Sequence, residues 1–166
     1  KQQMNNTKSE RKTRIRKNSF KTVLPAKSVN ESFSRILCSA FISALDPTLE
    51  EICDIKTAVS EAVTNCIVHA YNAEPDERKK LIYISGEYFS DGLLVIKIKD
   101  KGCGIENIEQ AMQPMYSGSG SEERSGMGFS IMESFTDKLT VRSKPGKGTS
   151  VTMRKYIGKD IHDTNA

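Results

Sequence analysis

Apolar residues recur at Phe33, Ile36, Leu37, Ala40, Phe41, Ala44 and Leu45, the 3.6-residue period of an amphipathic helix. Asn30 is the expected N-cap, and Asp46-Pro47 stops the helix. Thr48-x-x-Glu51 then reads as a capping box opening a second helix, predicted to run to about Tyr71. Ahead of both, Phe20 to Leu24 is short and β-prone, and Pro25 marks it as an edge strand. After a polar loop over 72–80, Leu81 to Tyr88 and Leu93 to Lys99 form a hairpin turning at Ser90-Asp91-Gly92. Leu94, Ile96 and Ile98 take the core face of its second strand, opposite Val95, Lys97 and Lys99, and Asp100 falls in the inward phase. A helical turn around Ile108 to Met112 precedes the Ser- and Gly-rich stretch 114–125, expected to be a mobile loop because it has few apolar groups to anchor it. Helical periodicity returns over 126–135, and Leu139 to Ser143 with Thr149 to Tyr156 form a last hairpin. This order predicts an α+β protein, a two-layer sandwich with helices on one face of a mostly antiparallel sheet.

Composition narrows the class. A chain of 166 residues, 37% apolar and 28% charged, suits one soluble domain with its own core. No run approaches the ~20 apolar residues of a membrane span, and the polar, basic N-terminus lacks a signal-peptide core, so a cytoplasmic protein is expected. The net charge of +4 is unevenly placed: residues 1–21 hold eight basic side chains against Glu10 alone, which leaves −3 on the remainder. A flexible basic arm over 1–17, with Met4 as a candidate start, a folded domain over 18–157 and a tail over 158–166 are therefore expected. Solvated tail is the favoured role for the arm, and nucleic-acid contact the lesser one. Cys38, Cys53, Cys66 and Cys103 form no C-x-x-C pair and read as reduced thiols.

Four short motifs carry candidate chemistry. Glu61 and Asn65 share a face of the second helix at i, i+4, near Asp54 and Thr57, although an exposed polar stripe is the favoured explanation of that pair taken alone. Asp100-x-Gly102-x-Gly104 follows a strand, and an inward carboxylate needs a donor there, such as the exocyclic amino group of a purine. A cap of the turn is the competing role. Arg124-Ser125-Gly126-Met127-Gly128 stands where a loop becomes a helix, whose free N–H groups suit phosphate oxygens. It completes neither a P-loop nor G-x-G-x-x-G. Gly148-Thr149 opens the last strand, where a hydroxyl can reach the same pocket.

In this order and spacing the four motifs resemble the N box and glycine boxes of the Bergerat-fold ATPases, the superfamily of gyrase B, MutL and histidine kinase catalytic domains. Asn30 to Arg35, Leu45 to Thr48, Ile55 to Asn65, Gln113-Pro114 and Glu123 to Phe129 narrow the likeness to the anti-sigma F factors of sporulation. It covers about Asn18 to Ile157, with 114–125 in the position of the ATP lid and Ser117-Gly118-Ser119-Gly120 standing where relatives carry Thr and Lys.

The resemblance implies an anti-sigma factor that is also an ATP-dependent serine kinase acting on an anti-anti-sigma protein. Glu61 would be the general base or orienting acceptor for the substrate hydroxyl, Asn65 the Mg2+ ligand and Arg124 a second catalytic group. Asp100 with Thr149 would select adenine, Gly102 and Gly104 would make room for it, and Ser125, Gly126, Met127 and Gly128 would face phosphate. Arg35, on the polar side of the first helix, is a candidate partner contact, His69 reads as structural or pocket-lining, and the resemblance implies a homodimer. The rivals are a general-stress-response anti-sigma kinase, a non-catalytic nucleotide-binding module and a nucleic-acid-binding protein acting through its arm.

Overall fold

The computed structural model describes residues 14–113 and 128–158. Five strands form one antiparallel sheet: β1 (Arg16–Pro25), β2 (Leu81–Phe89), β3 (Leu93–Lys99), β4 (Lys138–Lys144) and β5 (Gly148–Tyr156), in the order β1-β2-β3-β5-β4. The α-helices are α1 (Val29–Ile42), α2 (Leu49–Asn65), α3 (Ile108–Ala111) and α4 (Gly128–Ser134), with shorter 3-10 turns at Ser43–Leu45 and Glu77–Lys79. Period-2 alternation decides what the sheet buries: Ile82 and Ile84 of β2, Leu94, Ile96 and Ile98 of β3, and Val151 and Met153 of β5. They meet Ile55, Val59, Ala62 and Val63 of α2 and Met132 of α4 in a single core. The α+β sandwich is as predicted.

Three local features differ from expectation. Strand β1 begins at Arg16, inside the stretch expected as arm, because Phe20 packs against Phe41 with ring centroids 4.7 Å apart and Arg16 reaches Glu87 at 2.9 Å. Helix α1 starts after Ser28, and Asn30 donates its side-chain N–H to the Pro25 carbonyl at 2.8 Å instead of capping the helix. Its buried positions are Ser34, Cys38 and Ile42, while Phe33 and Ile36 are 49% and 65% exposed. The packed stripe is rotated from the apolar one, since small Ser34 and Cys38 allow α1 to lie close to its neighbours.

The Thr48 capping box is present in both directions, Glu51 N–H to Thr48 Oγ1 at 3.1 Å and Thr48 N–H to Glu51 Oε2 at 2.8 Å. Helix α2 does not continue regularly to Tyr71. After Asn65 the chain widens into a π-helical turn over Cys66–Ala70. Such turns concentrate at functional sites, and His69 is the exposed residue of this one.

Candidate functional site

Glu61 and Asn65 leave α2 on its half-buried side, toward the start of α4. Gly128 lies so close that a Cβ there would stand 3.3 Å from Glu61 Oε2 and 3.5 Å from both amide atoms of Asn65. The N-box pair and one of the second-box glycines are therefore adjacent. Burial, and secondly the charge of Glu31, push the Glu61 carboxyl above the ordinary carboxylate range. Arg124, Ser125, Gly126, Met127 and the expected lid lie outside the described residues.

Asp100 is 4% exposed at the end of β3. Its Oδ1 accepts from the Gly102 and Thr149 backbone N–H groups at 2.8 and 3.2 Å, and its own N–H donates to the Thr149 carbonyl at 2.9 Å. Among the described residues Oδ2 has only the Cys66 thiol, at 3.8 Å. Burial raises the Asp100 carboxyl, and the two backbone N–H groups oppose it. A buried carboxylate with one oxygen fully used and the other held only by a weak S–H donor has acceptor capacity to spare.

The glycines serve the chain itself. A Cβ on Gly102 would collide with the Ala70 carbonyl, which already accepts the Cys103 N–H at 2.7 Å. A Cβ on Gly104 would meet the Lys144 carbonyl, and one on Gly148 the Asp100 carbonyl. Gly148 also has φ +88°, a left-handed conformation that favours glycine. The close approach required at Gly102 and Gly104 is thus to protein backbone, where room for a base was expected. Thr149 sits beside Asp100 as expected, but holds it through the main chain, its hydroxyl 2.8 Å from Ser143 Oγ.

Sequence reasoning passed over Cys66 and Tyr71. The Tyr71 hydroxyl donates to the Leu81 carbonyl at 2.5 Å and accepts the Lys101 N–H at 2.9 Å, fixing the turn after Asp100. Cys66 was readable only as one more apolar helix position. Asp54, placed near the Glu61 stripe, instead pairs with Lys155 of β5 at 3.1 Å.

Arg35 is tied within the protein. Its Nε lies 2.8 Å from Glu31 Oε1, an ion pair whose angle is not that of a hydrogen bond, and Glu31 Oε1 also accepts from Ser60 Oγ at 2.5 Å. One Nη reaches Ser32 Oγ at 3.2 Å, and the side chain remains 37% exposed at the rim of a groove with Lys56 and Thr57. No cluster of three or more His, Cys, Asp or Glu suited to a metal occurs among the described residues.

The histidine kinase-like ATPase domain family matches residues 27–155. An anti-sigma F factor of Caldanaerobacter subterraneus subsp. tengcongensis is 53% identical over 135 residues, 81% of this chain and 91% of the relative. The chain belongs to the anti-sigma F factor family. A second member, from Clostridium acetobutylicum, is 52% identical over 130 residues, 78% of this chain and 87% of its own length. Two solved structures share the fold of this anti-sigma F family chain. The RsbU and RsbW domains of a Mycobacterium tuberculosis protein match with TM-score 0.63 at 17% identity, over 87% of this chain and 34% of that one. The SiaB-SiaC complex from Pseudomonas aeruginosa matches with TM-score 0.58 at 12% identity, over 81% of this chain and 88% of that one. No helix among the described residues is long and apolar enough to cross a membrane.

Proposed function

We propose that this chain is an anti-sigma factor that binds a sporulation sigma factor of the sigma F type. We further propose that, as an ATP-dependent serine kinase in the cytoplasm, it phosphorylates and so inactivates the competing anti-anti-sigma protein. The observation that carries this is the convergence of Glu61, Asn65 and Gly128, in a fold that also buries Asp100 with a spare acceptor oxygen.

The residues present suit ATP and Mg2+. Asp100 Oδ2 offers the acceptor an adenine amino group needs, and the backbone bonds on Oδ1 hold it in place. Asn65 and Glu61 make no side-chain hydrogen bond to a described residue, so both are open to a ligand. Mg2+ keeps several waters and binds through few protein groups plus phosphate oxygens, a demand one Asn carbonyl can meet. ATP would supply the transferred phosphoryl group, and the metal would neutralise its charge. Glu61, its pKa raised, accepts or orients the proton of the substrate serine, and Arg124 adds a cation. Gly126, Met127 and Ser125 offer backbone N–H groups to phosphate.

Arg35, at the rim of the groove, is proposed to meet a partner's carboxylate. A homodimer is proposed to form about α1 and the edge strand β1, where Val29, Phe33 and Ile36 are 71%, 49% and 65% exposed. The decisive experiment incubates the protein with Mg-ATP, anti-anti-sigma proteins and sigma factors, comparing the parent with Glu61→Gln. Phosphoserine formation that the variant loses while it still binds nucleotide is expected. Sigma binding without transfer to any partner would leave a non-catalytic module, and neither activity would overturn the proposal.

A further inference from the structure

The helices cover one face of the sheet, and the other is open among the described residues. That open face is strongly cationic although residues beyond 21 sum to −3. Register places Lys21, Lys97, Lys99, Lys138, Arg142 and Arg154 on it. Lys97 is opposite Ser85, which faces Lys21, and opposite Thr152; Ser150 lies between Lys99 and Arg142; Arg154 is opposite Lys138. Cations thus stand about 7 Å apart along β3 and about 10 Å apart across alternate strands, with hydroxyls between them.

None of the six forms an ion pair with a described residue, and the one acid in these rows, Glu87, is taken by Arg16 at 2.9 Å. A shallow depression at one end of the face adds Lys144 and Lys147 to Lys99 and Arg142. Many of the body's other acids lie on the helices, Glu31, Glu50, Glu51, Asp54 and Glu61 being on α1 and α2.

We propose that this open sheet face binds the phosphate backbone of a nucleic acid. Flat rows of cations and hydroxyls are the groups that contact phosphate without reading sequence. A protein partner requires an apolar or aromatic centre, whereas on this face Val23 and Val95 are scattered and the aromatic rings are engaged by cations, Tyr83 with its centroid 4.9 Å from Lys101 Nζ and Phe89 with its centroid 5.9 Å from Arg14, which also donates to the Tyr156 hydroxyl at 2.9 Å. A second copy docked face to face would set cations against cations. Continuity of charge adds to the case: edge strand β1 is preceded in sequence by Lys1, Lys8, Arg11 and Lys12 against Glu10.

The test is fluorescence anisotropy of the full chain with labelled mixed-sequence DNA and RNA of 20 nucleotides, single-stranded and duplex, from 50 to 200 mM salt. Affinity should fall about 1,000-fold over that range if all six cations engage phosphate. Lys97→Ala/Lys99→Ala should weaken all sequences alike and reduce the log–log salt slope by about 1.5, while Lys27→Ala/Lys79→Ala, off the face, leaves it unchanged. Thermal unfolding of each variant checks the fold. No binding at 50 mM, equal loss in both double variants, or equally tight binding of polyglutamate of matched charge would overturn the proposal, the last in favour of an acidic protein.

Discussion

Replacing Asp100 by Asn separates recognition of the base from integrity of the fold. Two backbone N–H groups, from Gly102 and Thr149 at 2.8 and 3.2 Å, hold one side-chain oxygen, so the Asn amide oxygen stays there and its NH2 takes the place of Oδ2. Where the parent presents an acceptor, the variant presents a donor, facing a donating adenine amino group. Loss of a hydrogen bond to a charged acceptor costs about 1.5–3 kcal/mol. Nucleotide Kd should therefore rise about 10- to 150-fold. Because burial disfavours the charged carboxylate, the apo fold should not suffer: Asn keeps both backbone bonds and forfeits only the weak Cys66 contact at 3.8 Å. Calorimetric titration with Mg-ADP measures the first quantity and a thermal melt of the apo protein the second. A Kd within twofold of the parent, with the melting temperature intact, would refute the role of Asp100 in binding the base.

Glu31→Gln removes the negative charge that, after burial, raises the Glu61 carboxyl, and it releases Arg35; the acid limb of the kinase kcat/KM profile should move to lower pH. With Glu61 raised in the fold, the native state binds more protons, so the parent loses stability as pH rises from the unfolded carboxylate value through the raised one, and the variant should lose less. An unmoved or upward-moved limb would sink the coupling. Gly102→Ala forces a methyl into the Ala70 carbonyl and should cost about 1–3 kcal/mol, read as a melting point lower by about 3–10 °C. An unchanged melt would show that the loop yields freely. Thr48→Ala should cost about 1 kcal/mol, about 2–4 °C, with most of it restored in Thr48→Ser; equal melts for both would place the helix start under other control.

Legibility in the sequence followed the length scale of the interaction. The alternation over β3 and the turn at Ser90-Asp91-Gly92 needed only near neighbours, and both hairpins lie where that pattern puts them. The adjacency of Glu61, Asn65 and Gly128 was legible only through the family likeness, since it depends on α4 packing against α2. Rotation of α1 toward Ser34 and Cys38 was hidden because small polar residues carry the close helix contact, and hydrophobic periodicity does not weight closeness. Tyr71, apparently the end of a helix, anchors the turn after Asp100 through two main-chain bonds whose partners lie 10 and 30 residues away. Net charge misled in a different way: summed along the chain it assigns the positive sign to the arm, whereas strand register gathers Lys21, Lys97 and Arg142 onto one surface.

The π-helical turn at Cys66–Ala70 sets the phase between the two halves of the site. It is the geometry of a helix that has absorbed one residue more than its regular winding holds, and the surplus presents the Ala70 carbonyl to the Cys103 N–H while keeping the Cys66 thiol on Asp100. Winding the same five residues as regular α-helix would rotate everything beyond them by about 90°. Ala70 would then turn away from the Asp100 loop, although Glu61 and Asn65 upstream stayed in place. The phase between the two halves of the site accordingly rests on the winding of this joint, and a substitution that tightens it into regular α-helix should separate them.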